Sequence, residues 1–408
     1  MTKEWRKAPL KSLTLAIADG SHNPPKGGTL SSYLMLSSKN VFDDSLNYDD
    51  PRYLTKNQFV EEDRRTGVVA GDVLLTIVGT IGRAAVVPPD APALTFQRSV
   101  AVIRPNPEIL QPRFLMYALH ATSNNLCALA RGVAQKGVYL GTLRELEIGV
   151  PPIGEQKRIV AILDQAFEAI DTAKANTARN RQKADALFQS YLQAKFSENN
   201  ERWVEQKIGD DSLLEIVDGD RGINYPKSSD FHDQGYCLFL NTKNVRPDGF
   251  SFESTMFITE KKDKQLRKGH LKRGDVVLTT RGTIGNIGLY DDDVPFENVR
   301  INSGMLILRP NPNVLLPSFL FELLRSDIVK NQITKQTTGA AQPQLPIKTL
   351  VDFTIPIPIH IEDQRDLVMR IGAYEPKTQQ LESIYDQKTS ALEALRESLL
   401  HDAFTACL

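Results

Sequence analysis

Two stretches of the chain place apolar residues at alternating spacings of four and three. From Glu155 to Ile208 there is neither glycine nor proline. Positions 159, 163, 166, 170, 173, 177, 180, 184, 187, 191 and 194 read Ile, Leu, Ala, Ile, Ala, Thr, Asn, Ala, Leu, Tyr and Ala. That spacing is a coiled-coil seam. Moving 208 residues along gives Leu367, Ile371, Tyr374, Thr378, Leu381, Tyr385, Lys388, Leu392, Leu395, Leu399 and Asp402, in the same frame and without a gap. Gly372 and Pro376 predict a kink or a late start in the second helix. About 40 residues rising 1.5 Å each make a rod of roughly 60 Å. Outside the helices the pattern shortens. Alternating or apolar runs at Val73–Val78, Ala84–Val87, Val100–Ile103, Val276–Thr280 and Met305–Leu308 predict strands. Gly-Thr-Ile-Gly at 79–82 and 282–285 predicts a glycine-bounded turn. Pro112 and Pro317 open helical patterns, and short strands follow at 146–150 and 353–357.

The same patterns occur twice because the chain is a duplication. GDVLLTIVGTIGRAAVV at 71–87 recurs as GDVVLTTRGTIGNIGLY at 274–290, with nine of 17 positions identical. IRPNPEILQPRFL at 103–115 recurs as LRPNPNVLLPSFL at 308–320. Lys39-Asn40-Val41 matches Lys243-Asn244-Val245, Asp19-Gly20 matches Asp218-Gly219, and Trp5 and Trp203 stand near the start of each copy. Gly132-Val-Ala-Gln135 matches Gly339-Ala-Ala-Gln342. Order is preserved and the offset drifts by only a few residues.

Each copy therefore reads as a mixed α/β domain followed by a long helix, with divisions at 1–150, 151–200, 201–357 and 358–408. Leu163, Ile170, Leu187, Leu381 and Leu395 are expected in the seam between the helices. Two equal helices in one chain pack most simply antiparallel, giving a coiled-coil rod with a pseudo-two-fold axis. Packing of each helix on its own globular domain is the alternative. A duplicated reader on such a rod suits a ligand with its own two-fold axis. Double-stranded DNA is one, with half-sites roughly 34–36 Å apart.

Composition narrows the class. Of 408 residues, 41% are hydrophobic and 24% charged, enough for ordinary cores and against disorder. The net charge of −1 excludes a generally basic DNA-coating protein, with only a slight basic excess in 1–150 and a slight acidic excess in 358–408. Cys127, Cys237 and Cys407 are far apart, so neither a disulfide framework nor a cysteine zinc site is expected. The charged start MTKEWRKAPLKSL and the absence of a long apolar run point to a cytoplasmic protein with no membrane partner.

Enzyme motifs are missing. There is no GxxxxGK[ST], HExxH, GxSxG or strand-linked GxGxxG, so no catalytic, metal or cofactor site is expected. Asn23-Pro24-Pro25-Lys26 resembles the Asn-Pro-Pro-aromatic loop of amino-methyltransferases. It carries lysine where the base-stacking aromatic belongs, and reads as a proline-stiffened surface loop. Pro247-Asp248 could open a nuclease-like carboxylate motif, but Glu253 is not followed by x-Lys.

The ordered set of fragments resembles the specificity (S) subunit of type I restriction–modification systems over nearly the full chain. VPPIGEQKRIVAILDQ at 150–165 is similar to that family's opening of its central conserved helix. IPIPIHIEDQRDLVMRI at 355–371 is similar to the opening of the distal helix, departing at His360 and Asp366-Leu367. GDVLLTIVGTIG and GDVVLTTRGTIG resemble the late half of the family's target recognition domains, and DGSHNPPKGG and DGDRGINYPK the early half. The resemblance implies two α/β target recognition domains joined by two antiparallel helices. It implies a non-catalytic subunit that reads a bipartite sequence in double-stranded DNA, one half per domain, with the helices setting the spacer. Its implied partners are two copies of the modification (methyltransferase) subunit and motor-nuclease restriction subunits. S-adenosylmethionine, ATP and magnesium would be bound by those partners and none by this chain.

DNA-reading candidates are polar side chains of loops. In the first domain they are His22, Asn23, Lys26, Lys39, Asn40, Thr80, Arg83, Gln97, Arg98, Gln135 and Lys136. In the second they are Arg221, Asn224, Lys227, Lys243, Asn244, Arg281, Thr283, Asn286, Arg300, Asn302, Gln342 and Gln344. Arginine suits guanine, asparagine and glutamine suit adenine, and lysine or threonine often take phosphate. Lys39-Asn40 and Lys243-Asn244 recur, which fits either phosphate positioning or a structural turn. Matched positions that differ, Val78 against Arg281 and Arg83 against Asn286, are the better candidates for sequence reading. Glu155, Gln156, Asp363 and Gln364 are candidate partner contacts, or simply first-turn residues that suit the helix dipole. A duplicated coiled-coil scaffold without DNA contact is the alternative function, and it would lack salt-dependent duplex binding. An unrecognised methyltransferase would bind cofactor as the isolated chain.

Overall fold

The computed structural model describes residues 5–131, 136–197, 202–247, 249–337 and 343–405. The chain divides into two compact units, Met1–Ala178 with Gln387–Leu408, and Arg179–Asp386. Gln135, Gln342 and Asp248 lie outside the described residues.

The first unit is built on a four-stranded antiparallel sheet ordered Thr14–Asp19, Val100–Pro105, Val73–Thr76, Ala84–Val86. A three-stranded sheet places Tyr33–Leu36 between Arg52–Leu54 and Ala93–Phe96, with the latter pair parallel. A two-stranded ribbon joins Arg6–Pro9 to Glu147–Val150. The second unit repeats all three. Its four-stranded sheet runs Leu214–Asp218, Met305–Pro310, Asp275–Thr279, Ile287–Tyr290. Its three-stranded sheet places Cys237–Leu240 between Phe257–Ile258 and Val299–Ile301. Trp203–Lys207 pairs with Thr354–Pro358.

The repeated motifs explain themselves as structure. Asp72 and Asp275, from the two Gly-Asp-Val segments, are each 1% exposed. Each accepts a two-pronged guanidinium from the adjacent strand: Arg104 on Asp72 and Arg309 on Asp275, every contact 2.8 Å. Planar guanidinium and carboxylate match in this fork, and losing one partner would strand a buried charge. Each Gly-Thr-Ile-Gly turn bends with positive φ at both glycines, +84° and +100° in the first unit and +74° and +90° in the second. A Cβ is costly there, so glycine is required. Trp5 packs on Phe114 and Phe404, and Trp203 packs on Phe319 and Phe196.

Both long helices span 44 residues, Ile153–Phe196 and Ile361–Phe404. The second starts on time at Ile361 and is assigned as helix through Pro376, so the expected late start is not seen. Inside the first unit Asp171 and Lys174 meet Arg396 and Glu393 at 3.1 and 2.9 Å. Inside the second, Arg181 meets Asp386 at 2.7 Å and Tyr191 stacks on Tyr374 with centroids 4.3 Å apart. Both sets run antiparallel.

The seam is buried in part, with Thr177, Ala184, Ile371 and Thr378 enclosed. Leu163 and Ile170 are buried, but in the core of the first unit with Phe114, Leu115 and Ile148. Leu187, Leu381 and Leu395 are 49%, 38% and 47% exposed, which corrects their assignment to the core. In the second unit the buried stripe is Phe188, Leu192 and Phe196, packed with Phe319, Leu320 and Leu323. A straight helix drifts away from a seven-residue repeat, so a stripe packing on a globular domain follows spacing four.

That same contact carries a buried charge cluster. Arg325 lies between Glu322 and Glu375, at 3.2 Å from the former, with the rings of Phe188 and Phe321 at 5.0 and 5.3 Å. Burial outweighs Arg325 and pushes the Glu322 carboxyl up to about 7. Folding thus favours its neutral form. This stabilisation is complete below the ordinary 4.5 and is lost as pH rises through 7. In a Trp5→Phe background, Trp203 fluorescence should report a second-unit melting temperature that falls from pH 5 to pH 8. Glu322→Gln should flatten that dependence.

Candidate nucleic-acid interface

In each unit one end of the four-stranded sheet gathers most of the candidate loops. In the second unit Asp218 pairs with Leu306 and Thr279 with Met305, so the loops leaving Asp218 and Thr279 and the loop entering Met305 emerge together. In the first unit Asp19 pairs with Ala101 and Thr76 with Val100, bringing the loops at 20–23, 77–83 and 97–99 to the corresponding end. The glycine turn is fixed from beneath. Thr76 Oγ1 accepts the Arg83 N–H at 2.9 Å, and Thr279 Oγ1 accepts the Asn286 N–H at 3.0 Å. Both hydroxyls donate across the turn, to the carbonyls of Thr80 and Thr283.

Side chains on this end differ in how free they are. His22 Nε2 lies 2.7 Å from Asp19 Oδ2, and Arg65 also binds Asp19. Burial works to raise the Asp19 carboxyl, but the hydrogen bonds from His22 and Arg65 outweigh it and hold it below the ordinary carboxylate range. Arg221 occupies the matching place, 3.2 Å from Asp218 and 3.3 Å from the Ser303 carbonyl. Lys39 is paired with Asp50, and Lys243 is exposed. Asn23, Lys26, Thr80, Arg98, Lys136, Lys227, Arg281, Thr283 and Gln344 are exposed, and Gln97 is half-buried. Asn224 is exposed and donates to the Gln265 carbonyl at 3.3 Å. Asn302 spends its side-chain oxygen on the Gly304 N–H at 2.8 Å. The Asn-Pro-Pro-Lys segment is a loop whose Pro24 and Pro25 carbonyls accept from Arg52.

Several candidates have purely structural tasks. Asn40 and Asn244 are each 2% exposed. Asn40 donates to the carbonyls of Asn47 and Asp49 and accepts the Ser37 N–H. Asn244 makes the same three bonds with Ser251, Ser254 and Asn241. Arg300, 6% exposed, is held by Asp263 and by the Lys268 carbonyl at 2.7 Å. Arg83 and Asn286 both turn onto the small neighbouring hairpin. Arg83 stands 5.1 Å over the Phe42 ring, and Asn286 donates to the Val245 carbonyl at 2.9 Å. Each is half-buried by that contact. Val78 also turns into the first unit's core.

The helix-start candidates split the same way. Gln156 and Gln364 are fully buried. Gln156 accepts the Gln111 N–H at 2.9 Å and donates to the Ile109 and Pro151 carbonyls. Gln364 accepts the Leu316 N–H at 2.9 Å and donates to the Val314 and Pro358 carbonyls. Neither can meet a partner. Glu155 is paired with Arg158 at 2.7 Å, and Asp363 lies 3.8 Å from Arg202.

In the second unit several of these groups converge. A cleft of about 330 Å³ is lined by Arg221, Arg281, Gln344 and Lys348, with Asp218 and Thr280 on its wall. Lys348 was not among the sequence candidates. It lies on the short helix Ile347–Leu350, and only the fold brings that helix to the sheet end. Among the described residues no cluster of His, Cys, Asp or Glu could hold a metal, and no helix is long and apolar enough to cross a membrane.

The chain is similar to known proteins over most of its length. Residues 36–179 and 200–384 match the family described as the type I restriction modification DNA specificity domain. The chain is 23% identical over 332 residues to the type I restriction enzyme EcoBI specificity subunit of Escherichia coli, covering 77% of this chain and 69% of that one. It is 23% identical over 399 residues to the putative MjaX specificity subunit of Methanocaldococcus jannaschii, covering 91% and 87%. A solved chain from a study of type I R-M complex assembly superposes with a TM-score of 0.76 at 19% identity, covering 99% and 98%.

The Asn244 network separates support from reading. Asn244→Ala leaves the Asn241 N–H and two carbonyls unmet, and should destabilise the second unit by about 1–3 kcal/mol. Urea denaturation should register that loss, while the DNA sequence preferred by the remaining folded protein stays the same.

Proposed function

Because this chain belongs to the type I restriction–modification DNA specificity family, we propose that its two α/β units divide the reading of a bipartite DNA target, with the long helices setting the spacer. The chain is a non-catalytic specificity subunit: it reads the DNA target on behalf of the methyltransferase and restriction subunits of the complex. The observation that carries the division of labour is the duplication itself. One sheet architecture is built twice and presents different side chains at the same sheet end.

In this reading the helices form an antiparallel coiled-coil rod with a pseudo-two-fold axis, and two modification subunits bind along it. Leu187, Leu381, Ile384 and Leu395 supply exposed apolar surface on those helices for that contact. S-adenosylmethionine, ATP and magnesium belong to the partner subunits, and the complex works in the cytoplasm. The scaffold reading is not favoured, since it gives no task to the polar sheet ends.

Co-expression with the neighbouring modification subunit, followed by mapping of methylated adenines, should return a two-part motif with a fixed gap. A one-part motif would refute the division of labour. Removing one heptad from each helix takes out about 10 Å of rise and should shift the preferred gap. An unchanged gap in a folded complex would sink the ruler.

A further inference from the structure

The two units differ in chemistry at one place where their backbone pairing coincides. Beyond the strand Asp275–Thr279, the Leu345 N–H donates to the Thr280 carbonyl at 3.0 Å, and Arg281 and Gln344 oppose each other in an antiparallel bridge. In the first unit the Val138 N–H donates to the Ile77 carbonyl at 2.8 Å, and Val78 opposes Gly137 in the same bridge. There the position is closed. Val78 packs into the core, and a Cβ on Gly137 would lie 3.1 Å from Val78 Cγ2. In the second unit it is open. Arg281 and Gln344 are exposed, and among the described residues neither side chain has a hydrogen bond or ion pair. Both line the cleft with Lys348 and Arg221, the latter already tied to Asp218.

We propose that Arg281 and Gln344 are a base-reading pair, present in the second unit and absent from the first, that takes a guanine and the adenine next to it in the major groove. This rests on the chain's reading as a DNA specificity subunit and names residues and bases for it. Arginine offers two parallel N–H groups to guanine O6 and N7; glutamine donates to adenine N7 and accepts from N6. Opposed residues of an antiparallel pair stand about 4.5–5.5 Å apart at Cα. Neighbouring base pairs are about 3.4 Å apart along each strand, so two side chains of this reach address adjacent pairs. The base of the pair is rigid: Thr280 Oγ1 donates to the Gly304 carbonyl at 3.0 Å, and the glycine turn is pinned by Thr279. A neutral glutamine beside an arginine is poorly matched to phosphate alone, whereas Lys348 at the rim supplies a cation for the flanking backbone.

The test uses the full chain in complex with its modification subunit and measures methylation rates on duplexes varied singly through the second half-site. Arg281→Ala should slow the preferred duplex by roughly tenfold to a hundredfold and equalise the four bases at one guanine position. Gln344→Ala should do the same at the adjoining adenine. The first half-site should keep its preference in both, with melting temperature unchanged. Arg281→Lys should behave like Arg281→Ala, because an ammonium lacks the fork. A uniform loss with base preference intact, restored by lysine and accompanied by a shallower salt dependence, would assign the pair to phosphate and overturn the proposal. A wild-type complex with no sequence preference would overturn the specificity reading, and the pair with it.

Discussion

At the first turn of each long helix a glutamine carboxamide is sealed from solvent and uses both of its ends on backbone. Gln156 joins the helix start to the N–H of Gln111 and the carbonyl of Ile109, just before the helix Pro112–Ala121; Gln364 does the same with Leu316 and Val314 before Pro317–Arg325. A buried amide with an unmet end is costly, so each carboxamide specifies one direction for the helix leaving its domain. The ribbon strands Glu147–Val150 and Thr354–Pro358, the proline breaks and the tryptophan stacks surround this joint. Wherever the recognition loops point, they point relative to a helix whose exit is set there.

Further from the joint, the two units are rigid for the same reason and variable for a different one. The Arg104–Asp72 and Arg309–Asp275 forks and the Asn40 and Asn244 hubs are spent inside the fold. They support loops whose tips are then free to differ without disturbing the sheet. The contrast between Val78 on Gly137 and Arg281 opposite Gln344 is the clearest case, since the backbone pairing is shared.

The repeat, the strands, the glycine turns and both helices were legible because each depends on local pattern. Recurrence of Lys-Asn-Val could not say whether the asparagine faced solvent or its own turn, since either use fixes the residue. The structure decides it by burying Asn40 and Asn244. Gln156 and Gln364 looked like surface residues beside acidic neighbours; only the docking of the following helix against the domain encloses them. The heptad reading placed Leu187, Leu381 and Leu395 inside because a seven-residue repeat and a stripe of spacing four overlap for several turns before they part. The Arg281–Gln344 pair joins residues over sixty positions apart, and no spacing rule links them.

The first unit takes its last piece, Gln387–Leu408, from the far end of the chain, whereas the second is one continuous segment, Arg179–Asp386. The order in which the units begin therefore differs from the order in which they are complete. As the chain leaves the ribosome, the second unit has all its residues before the first does. Trp5 and Phe114 stack on each other within the first segment, and their ring contacts with Phe404 form only when the last helix arrives. The first unit therefore lacks those contacts throughout the making of the second, and its core is the last to be completed although its strands are the first to be made.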